Sequence, residues 1–233
     1  MPGERIPIRG VRKATAAAMV ASAFTAPHVT EWLTVDMTPT MELVERLRTM
    51  RDLREVRVGP LLVVARALIA ACRRYPMINS SWDEAASEIV VHDAVNLGIA
   101  AATPRGLVVP NIKGADRLSL PDLARALNDL VETARAGKTP PADMQRGTIT
   151  ITNVGVFGVD AGTPILNPGE AAILCFGAVR PMPWVHQGQI AVRQVSQLAL
   201  SFDHRIVDGQ LGSEVLALVG RLLADPSLFA VWS

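Results

Sequence analysis

The stretch that most constrains this chain lies near its carboxyl end. An apolar run at 197–200 reads as a strand, and Leu211, Val215, Leu218 and Leu222 recur at helical spacing beyond it. Between them stands Ser201-Phe202-Asp203-His204-Arg205-Ile206-Val207-Asp208-Gly209, a turn held at both ends by rigid elements. Such a turn can keep a working side chain in a fixed place. This one sets an imidazole between two carboxylates and a guanidinium, with Gly209 to release the backbone.

The remaining segments limit which folds can carry that turn. Residues 1–10 read as an extended arm, because Pro2, Pro7 and Gly10 oppose regular structure, and 11–233 read as one domain. Alanine-rich 11–24 reads as a helix ended by Pro27, and 28–36 alternates as a strand does. Thr38 as cap with Pro39 in the first turn starts a helix to about residue 54. Gly59-Pro60 opens another at 61–75, apolar nearly all round and therefore central. Short strands follow at 79–83, 88–91, 95–102 and 107–112. Ser119 and Asp122 make a capping box for a helix to about residue 136. Thr148-Ile-Thr-Ile-Thr is alternating and β-branched, hence a strand, and 171–179, 190–195 and 197–202 complete the set. Strands and helices do not alternate regularly. The order predicts an α+β fold with a mixed β-sheet.

Composition removes several classes of function. With 233 residues, 49% of them hydrophobic and 19% charged, the chain can bury a substantial core. A formal net charge of +1 provides no electrostatic footprint for a nucleic-acid backbone. The longest apolar stretch, 61–72, is too short for a bilayer and contains Arg66. No signal or transit composition opens the sequence. Cys72 and Cys175 lie in apolar runs, as buried thiols of a reduced compartment do, and no metal-ligand spacing occurs. These features predict a cytoplasmic protein without nucleic-acid, membrane or metal partners.

Imidazole is the side chain best suited to moving protons at neutral pH. A lone histidine in a turn is more often structural, but the charged neighbours of His204 favour a working role. Asp208, one helical turn on, either orients the ring or pairs with an arginine. No Gly-x-Ser-x-Gly elbow supplies a protein nucleophile, so a base here must activate one carried by the substrate. A second stretch, Thr150-Ile-Thr152-Asn153-Val-Gly155-Val-Phe-Gly158, reads first as a strand leaving through a glycine-rich turn. It also offers the Thr152 hydroxyl and the Asn153 amide as donors to a ligand, with glycines allowing close backbone approach.

Together these stretches resemble the catalytic domain of the dihydrolipoamide acyltransferases, the core component of 2-oxo acid dehydrogenase complexes, and more distantly chloramphenicol acetyltransferase. The signature is Asp203-His204-Arg205-x-x-Asp208-Gly209. In matching order stand Ile8-Arg-Gly-Val-Arg-Lys, Pro27-His-Val-Thr, Gly106-Leu-Val-Val-Pro-Asn, Thr150-Ile-Thr-Asn-Val-Gly, Pro164-Ile-Leu-Asn-Pro-Gly-Glu and Ala172-Ile-Leu. The resemblance runs from about Arg5 to the end. It implies a chloramphenicol-acetyltransferase-like two-layer fold, with a mixed sheet and packed helices.

It also implies an acyl transfer between dihydrolipoamide, on a lipoyl domain, and coenzyme A as the second substrate. His204 would be the general base, and Thr152 stands where the family places an oxyanion-binding serine. Asp208 would be an architectural carboxylate held by an arginine, for which Arg12 is the candidate. Asn153 and Gly177 match positions lining the coenzyme A site, and Arg48 its phosphate end. Ala102 and Val131 depart from the acidic and polar residues of relatives.

The family forms trimers in which His204 of one subunit would face Thr152 of the next, and these assemble into a 24-mer or larger core. The apolar segment from Leu228 to Trp232 fits either a plug between trimers or a tail folded on its own subunit. The sequence lacks a lipoyl domain to carry lipoate, and Met1-Pro-Gly fits a chain cut from a longer one. The decarboxylase and dihydrolipoamide dehydrogenase partners would be reached through the missing N-terminal domains. Residues 157–170 lean toward bacterial branched-chain enzymes. The alternatives are an acetyl-transferring pyruvate dehydrogenase core, a stand-alone chloramphenicol-type O-acetyltransferase and a non-catalytic scaffold.

Overall fold

The structure is a computed structural model that describes residues 3–103 and 106–232, apart from the side chain of Trp232. Residues 3–9 are exposed and without regular structure, and residues 1 and 2 of the expected arm lie outside the described residues. Helix α1 (Gly10–Thr25) then leads into β1 (His28–Asp36). Helix α2 (Thr38–Thr49) begins at Thr38 rather than after it. Met37 is the N-cap residue and has no side-chain cap bond; Asp36, just before it, accepts the Thr38 N–H with Oδ1 at 2.9 Å. Met50 is extended and a 3-10 turn follows at Arg51–Leu53, so the helix stops short of residue 54. As its all-round apolar pattern requires, α3 (Pro60–Arg74) is central, with ten successive or near-successive residues from Leu62 to Cys72 buried.

A hairpin of β2 (Ser80–Asp83) and β3 (Glu88–Val91) stands apart from the main sheet. The main sheet, to which β1 already belongs, continues with β4 (Leu97–Thr103), β5 (Gly106–Val108) and β6 (Asn111–Ile112). The expected strand at 107–112 is broken into two because Pro110 has no N–H to give a ladder. Helix α4 (Leu120–Arg135) carries the expected cap, with Ser119 Oγ accepting the Asp122 N–H at 3.3 Å. Then follow β7 (Ile149–Asn153), β8 (Ala172–Phe176), β9 (Arg180–His186), β10 (Gln189–Asp203), α5 (Gly209–Ala224) and the short α6 (Phe229–Trp232). The two strands expected at 190–195 and 197–202 are one continuous 15-residue β10. Strand β9 escapes a sequence reading because Pro181 and Pro183 interrupt it. It pairs only with β10, at an edge where proline is tolerated.

The sheet runs β1-β10-β8-β7-β4-β5, with β8, β7 and β4 parallel and the other pairs antiparallel. This is the mixed sheet that the element order predicts. Alternation divides each strand between two faces. Ile149, Ile151, Leu174, Phe176, Leu198, Leu200 and Phe202 point to the helices and join the core built with α3 and α5. Thr150, Thr152, Ile173, Cys175 and Ser201 occupy the opposite face. Leu228 and Phe229 pack against the chain's own core, so this end of the tail folds back on its subunit.

Helix α5 sits so close to β10 that a side chain on Gly212 would meet the buried Phe202 ring at 2.4 Å. Alanine gains about 1 kcal/mol over glycine in helix propensity, whereas overpacking a core costs about 1–3 kcal/mol. Gly212→Ala is therefore expected to lower the midpoint of chemical denaturation. An unchanged or higher midpoint means that the β10–α5 interface yields.

Candidate active site

Strand β10 delivers Asp203 and His204 to one end of the sheet. Asp203 is only 3% exposed, and an unpaired carboxylate there would be costly. Arg205 offsets that cost with a two-pronged pair, Nε to Oδ1 at 3.0 Å and Nη2 to Oδ2 at 2.7 Å. The same guanidinium lies over Trp82, 4.7 Å from the ring centroid. Backbone bonds close the turn: Ile206 and Val207 both donate to the Asp203 carbonyl at 3.0 Å. His204 N–H donates to the Pro27 carbonyl at 2.9 Å, tying the turn to the start of β1. The His204 side chain is exposed, its ring tilted against Phe202 at 6.2 Å between centroids.

Neither flanking carboxylate orients that ring within the chain. Asp203 is committed to Arg205. Asp208 is extended and accepts the Leu211 N–H at 2.8 Å, making it the N-cap of α5. A helix start leaves N–H groups without partners, and a carboxylate at that position satisfies one of them. The pairing of Asp208 with Arg12 is thus replaced by a cap, and Arg12 is exposed on α1.

Thr152 lies on β7 in register with Cys175 of β8, which is in register with Ala199 of β10. His204 is five residues further along β10 and two strands across, a separation of roughly 20 Å at ordinary strand spacings. One chain therefore does not bring the two together. Thr152 borders a largely apolar cavity of about 340 Å3, with Met19, Val109, Ile165, Ile173 and Cys175 in its wall. Burial pushes the Cys175 thiol up, so it stays protonated and does not compete as a nucleophile.

The expected coenzyme A residues are distributed differently. Asn153 follows Thr152 directly, so alternation turns it to the helix-covered face. Its buried Oδ1 has no hydrogen-bond partner among the described residues. Arg48, at the end of α2, donates from Nε to the Val58 carbonyl at 3.0 Å and pairs with Glu45 at 2.6 Å. Gly177 faces its own chain: an added Cβ would lie 1.8 Å from the Asp160 carbonyl oxygen. Packing of the loop after β7 requires glycine there.

Two groups that the sequence left unassigned hold the cavity wall. His28 Nδ1 lies 2.7 Å from the Ala26 carbonyl, and its Nε2 accepts the Leu166 N–H at 3.0 Å. These partners place the proton of the neutral ring on Nδ1. Glu170 is 5% exposed, with Oε2 accepting from Thr150 Oγ1 at 2.6 Å and Oε1 from Asn167 Nδ2 at 2.8 Å. Burial pushes its carboxyl up to about 7, against the two hydrogen bonds that pull it down. The sequence signal for Glu170 is a charge standing directly before the apolar run at 171–179.

A mixed sheet with α2 to α5 packed on one face and a histidine turn at the end of a long strand fits the chloramphenicol-acetyltransferase-like fold. Chloramphenicol acetyltransferase itself, 14% identical with a TM-score of 0.56 over 94% of this chain and 97% of its own, shares that fold. The model of the 2-oxoacid dehydrogenases acyltransferase (catalytic domain) matches residues 2–231, and the chain belongs to that family. It is 39% identical over 97% of its length to the dihydrolipoyllysine-residue acetyltransferase component of the pyruvate dehydrogenase complex from Bacillus subtilis. It spans about half of that relative, 51%. Among solved structures it is similar to a probable dihydrolipoamide acetyltransferase from Listeria monocytogenes, with 34% identity, a TM-score of 0.88 and coverage of 95% and 94%. The dihydrolipoamide acetyltransferase of Azotobacter vinelandii gives 30% identity, a TM-score of 0.92 and coverage of 98% and 94%. These relatives bear acetyltransferase names, which favours the acetyl alternative over the branched-chain expectation.

Glu170 binds a proton more tightly in the folded chain than in the unfolded one. Its contribution to stability is therefore complete below pH 4.5 and is lost as the pH rises to about 7. The full loss corresponds to about 3 kcal/mol. Glu170→Gln is expected to abolish it, so that denaturation midpoints of variant and wild type diverge as pH rises, the variant being the more stable at alkaline pH. Parallel pH curves count against a buried, proton-binding carboxyl.

Proposed function

We propose that this domain transfers an acyl group between the thiol of a dihydrolipoyl group and that of coenzyme A, at a site completed by two copies of the chain. The observation that carries the reading is the His204 turn. Its buried carboxylate is neutralised by Arg205 and its imidazole is exposed, free to accept a proton from a substrate. Further support comes from the Azotobacter enzyme, where a serine, a histidine and an asparagine are the subject of work on its catalytic mechanism. They stand at the same intervals as Thr152, His204 and Asp208.

His204 takes the proton from the attacking thiol. A free thiol has a pKa of about 8.5 and is a few per cent thiolate at neutral pH, so a positioned base is worth about 10²–10⁴ in rate. The thiolate forms a bond to the thioester carbonyl carbon, and the carbonyl electrons move to oxygen. Thr152 of the neighbouring copy donates its hydroxyl to that oxyanion, an interaction worth about 10²–10³. Collapse breaks the original C–S bond, and the departing thiolate regains the proton from the imidazolium. Asp208 fixes the turn by capping α5. Asn153 and Arg48 are the coenzyme A contacts proposed for the helix-covered side, with Gly177 letting the neighbouring loop close.

The roughly 20 Å between His204 and Thr152 in one chain supports a trimer in which the channel lies between subunits. Apolar side chains left exposed, Val20 and Phe24 on α1 and Val185, Ile190 and Val192 on the β9–β10 hairpin, support burial against further copies. The similar cubic core of the pyruvate dehydrogenase multienzyme complex supports assembly into a 24-mer or larger particle. The lipoyl group would come from a separate domain, and the decarboxylase and dihydrolipoamide dehydrogenase would join through other segments. Two buried free thiols support a cytoplasmic setting.

Acetyl is the leading acyl group on the names of the relatives. The roomy apolar cavity beside Thr152 favours a branched chain as the second reading. The test is transfer to free dihydrolipoamide from acetyl-, isobutyryl-, isovaleryl- and succinyl-coenzyme A. His204→Ala is expected to lose about 10²–10⁴ in kcat and Thr152→Ala about 10²–10³, with Thr152→Ser near wild type. Transfer that survives His204→Ala, or no transfer from any of the four donors, sinks the proposal.

A further inference from the structure

We infer that Glu170 is a positioning residue for the acyl-transfer reaction, holding residues 162–169 against β7 so that the cavity wall beside Thr152 stays closed on the acyl group. The inference rests on the acyl-transfer reading above.

The geometry runs through two hydrogen bonds. Thr150 Oγ1 donates to one carboxyl oxygen at 2.6 Å and Asn167 Nδ2 to the other at 2.8 Å. Thr150 is two residues before Thr152 on the same face of β7, and both side chains border the 340 Å3 cavity. Asn167 belongs to the segment that supplies the opposing wall, with Thr163, Pro164 and Ile165. Glu170 is thus the peg between the strand that carries the oxyanion donor and the loop that faces it. The segment has a second fixing point at Leu166, whose N–H meets His28 Nε2 and whose carbonyl accepts from Ser22 Oγ at 2.7 Å. On a third side the carboxyl is boxed in by backbone, since a Cβ on Gly147 would come within 2.7 Å of Oε1.

The peg has two states. Neutral, it keeps both partners: the acid O–H donates to Thr150 Oγ1, and the remaining oxygen accepts from Asn167. Ionised, it is a carboxylate 5% exposed with two hydrogen bonds and no cation. β7 presents Thr150 to it and the loop presents Asn167. The charged groups that share a second cavity of about 570 Å3 with Glu170 are Asp203, Arg205 and Glu84, of which Asp203 and Arg205 neutralise each other. A buried anion so placed is destabilised, and loosening of the loop from β7 admits the water that relieves it. Burial has already brought the proton affinity of Glu170 to about pH 7, so this exchange falls in the working range of a histidine base.

The experiment is steady-state kinetics with acetyl- and isobutyryl-coenzyme A, comparing wild type, Glu170→Gln and Glu170→Ala from about pH 6 to about pH 8.5, around the Glu170 titration. In wild type the KM for the donor is expected to rise roughly tenfold through this range, the factor equivalent to one unit of pKa change on binding. Glutamine reproduces the neutral peg, so Glu170→Gln is expected to keep the low KM at every pH. Glu170→Ala is expected to show the high KM throughout. Hydrogen exchange of residues 162–169 should follow the same pattern: protected in the glutamine variant, open in the alanine variant, and pH-dependent in wild type. A glutamine variant with the wild-type KM profile overturns the role, as does equal exchange in all three proteins. Absence of transfer by wild type overturns the reaction itself, while the exchange comparison still decides whether Glu170 anchors the loop.

Discussion

The backbone ladder of β10 is the interaction on which the rest of this domain depends. Over 15 residues it pairs with β1 along one edge and with β9 and then β8 along the other. Its inward side chains, Leu198, Leu200 and Phe202, set the core against which α5 closes. Its last residue is a buried carboxylate. Because Arg205 neutralises Asp203 two residues later, the chain can leave the sheet sharply without an unpaired charge in the interior. The exposed imidazole is a consequence of that turn, fixed by the strand before it and by the helix that Asp208 caps.

Strand alternation then divides the chemistry between two faces and two ends of one sheet. Thr152 and Cys175 face the cavity, whereas Asn153 shares the face of Ile149 and Ile151. A ligand reaching both Thr152 and Asn153 has to pass around the end of β7 rather than lie on one surface. The glycines at 155 and 177 make that strand end compact, because either side chain would collide with the opposing backbone. In the proposed reaction the histidine, at the far end of β10, serves a Thr152 of another copy. On that proposal each copy carries one half of each of two sites.

Helices were legible where apolar spacing and start signals agreed, as at Gly59-Pro60 and Ser119, since both act within a few residues along the chain. The strictly alternating 148–152 strand was equally plain. Proline misled the reading twice, for opposite reasons. Pro110 divides what looked like one strand, while Pro181 and Pro183 sit in a real strand at an edge that only tertiary pairing creates. The His204 motif was readable because its residues are neighbours in sequence. Its charge partners were not: Asp208, for which Arg12 was the candidate, caps α5 instead, and Arg205 is committed to the buried Asp203. Glu170 and His28 were hidden because their partners, Thr150 and Leu166, lie 20 and 138 positions away.

The choice of acyl group belongs to the loop more than to the sheet. The sheet side of the cavity consists of short or β-branched residues, Ala100, Thr150, Thr152 and Ile173, whose backbones are fixed by ladders on both sides. The opposing wall, Thr163 to Ile165, has no ladder and hangs on Leu166 and Asn167. A hydrophobic pocket discriminates by about 1–3 kcal/mol per methylene, an amount that one or two wall side chains or a small shift of that loop supplies. Identity across the whole chain is governed by the buried sheet and helices, of which only a few residues reach the cavity. A family can therefore keep one fold and one base while its members accept different acyl chains, and on the proposed reading the residues that decide are those that Glu170, His28 and Ser22 hold in place.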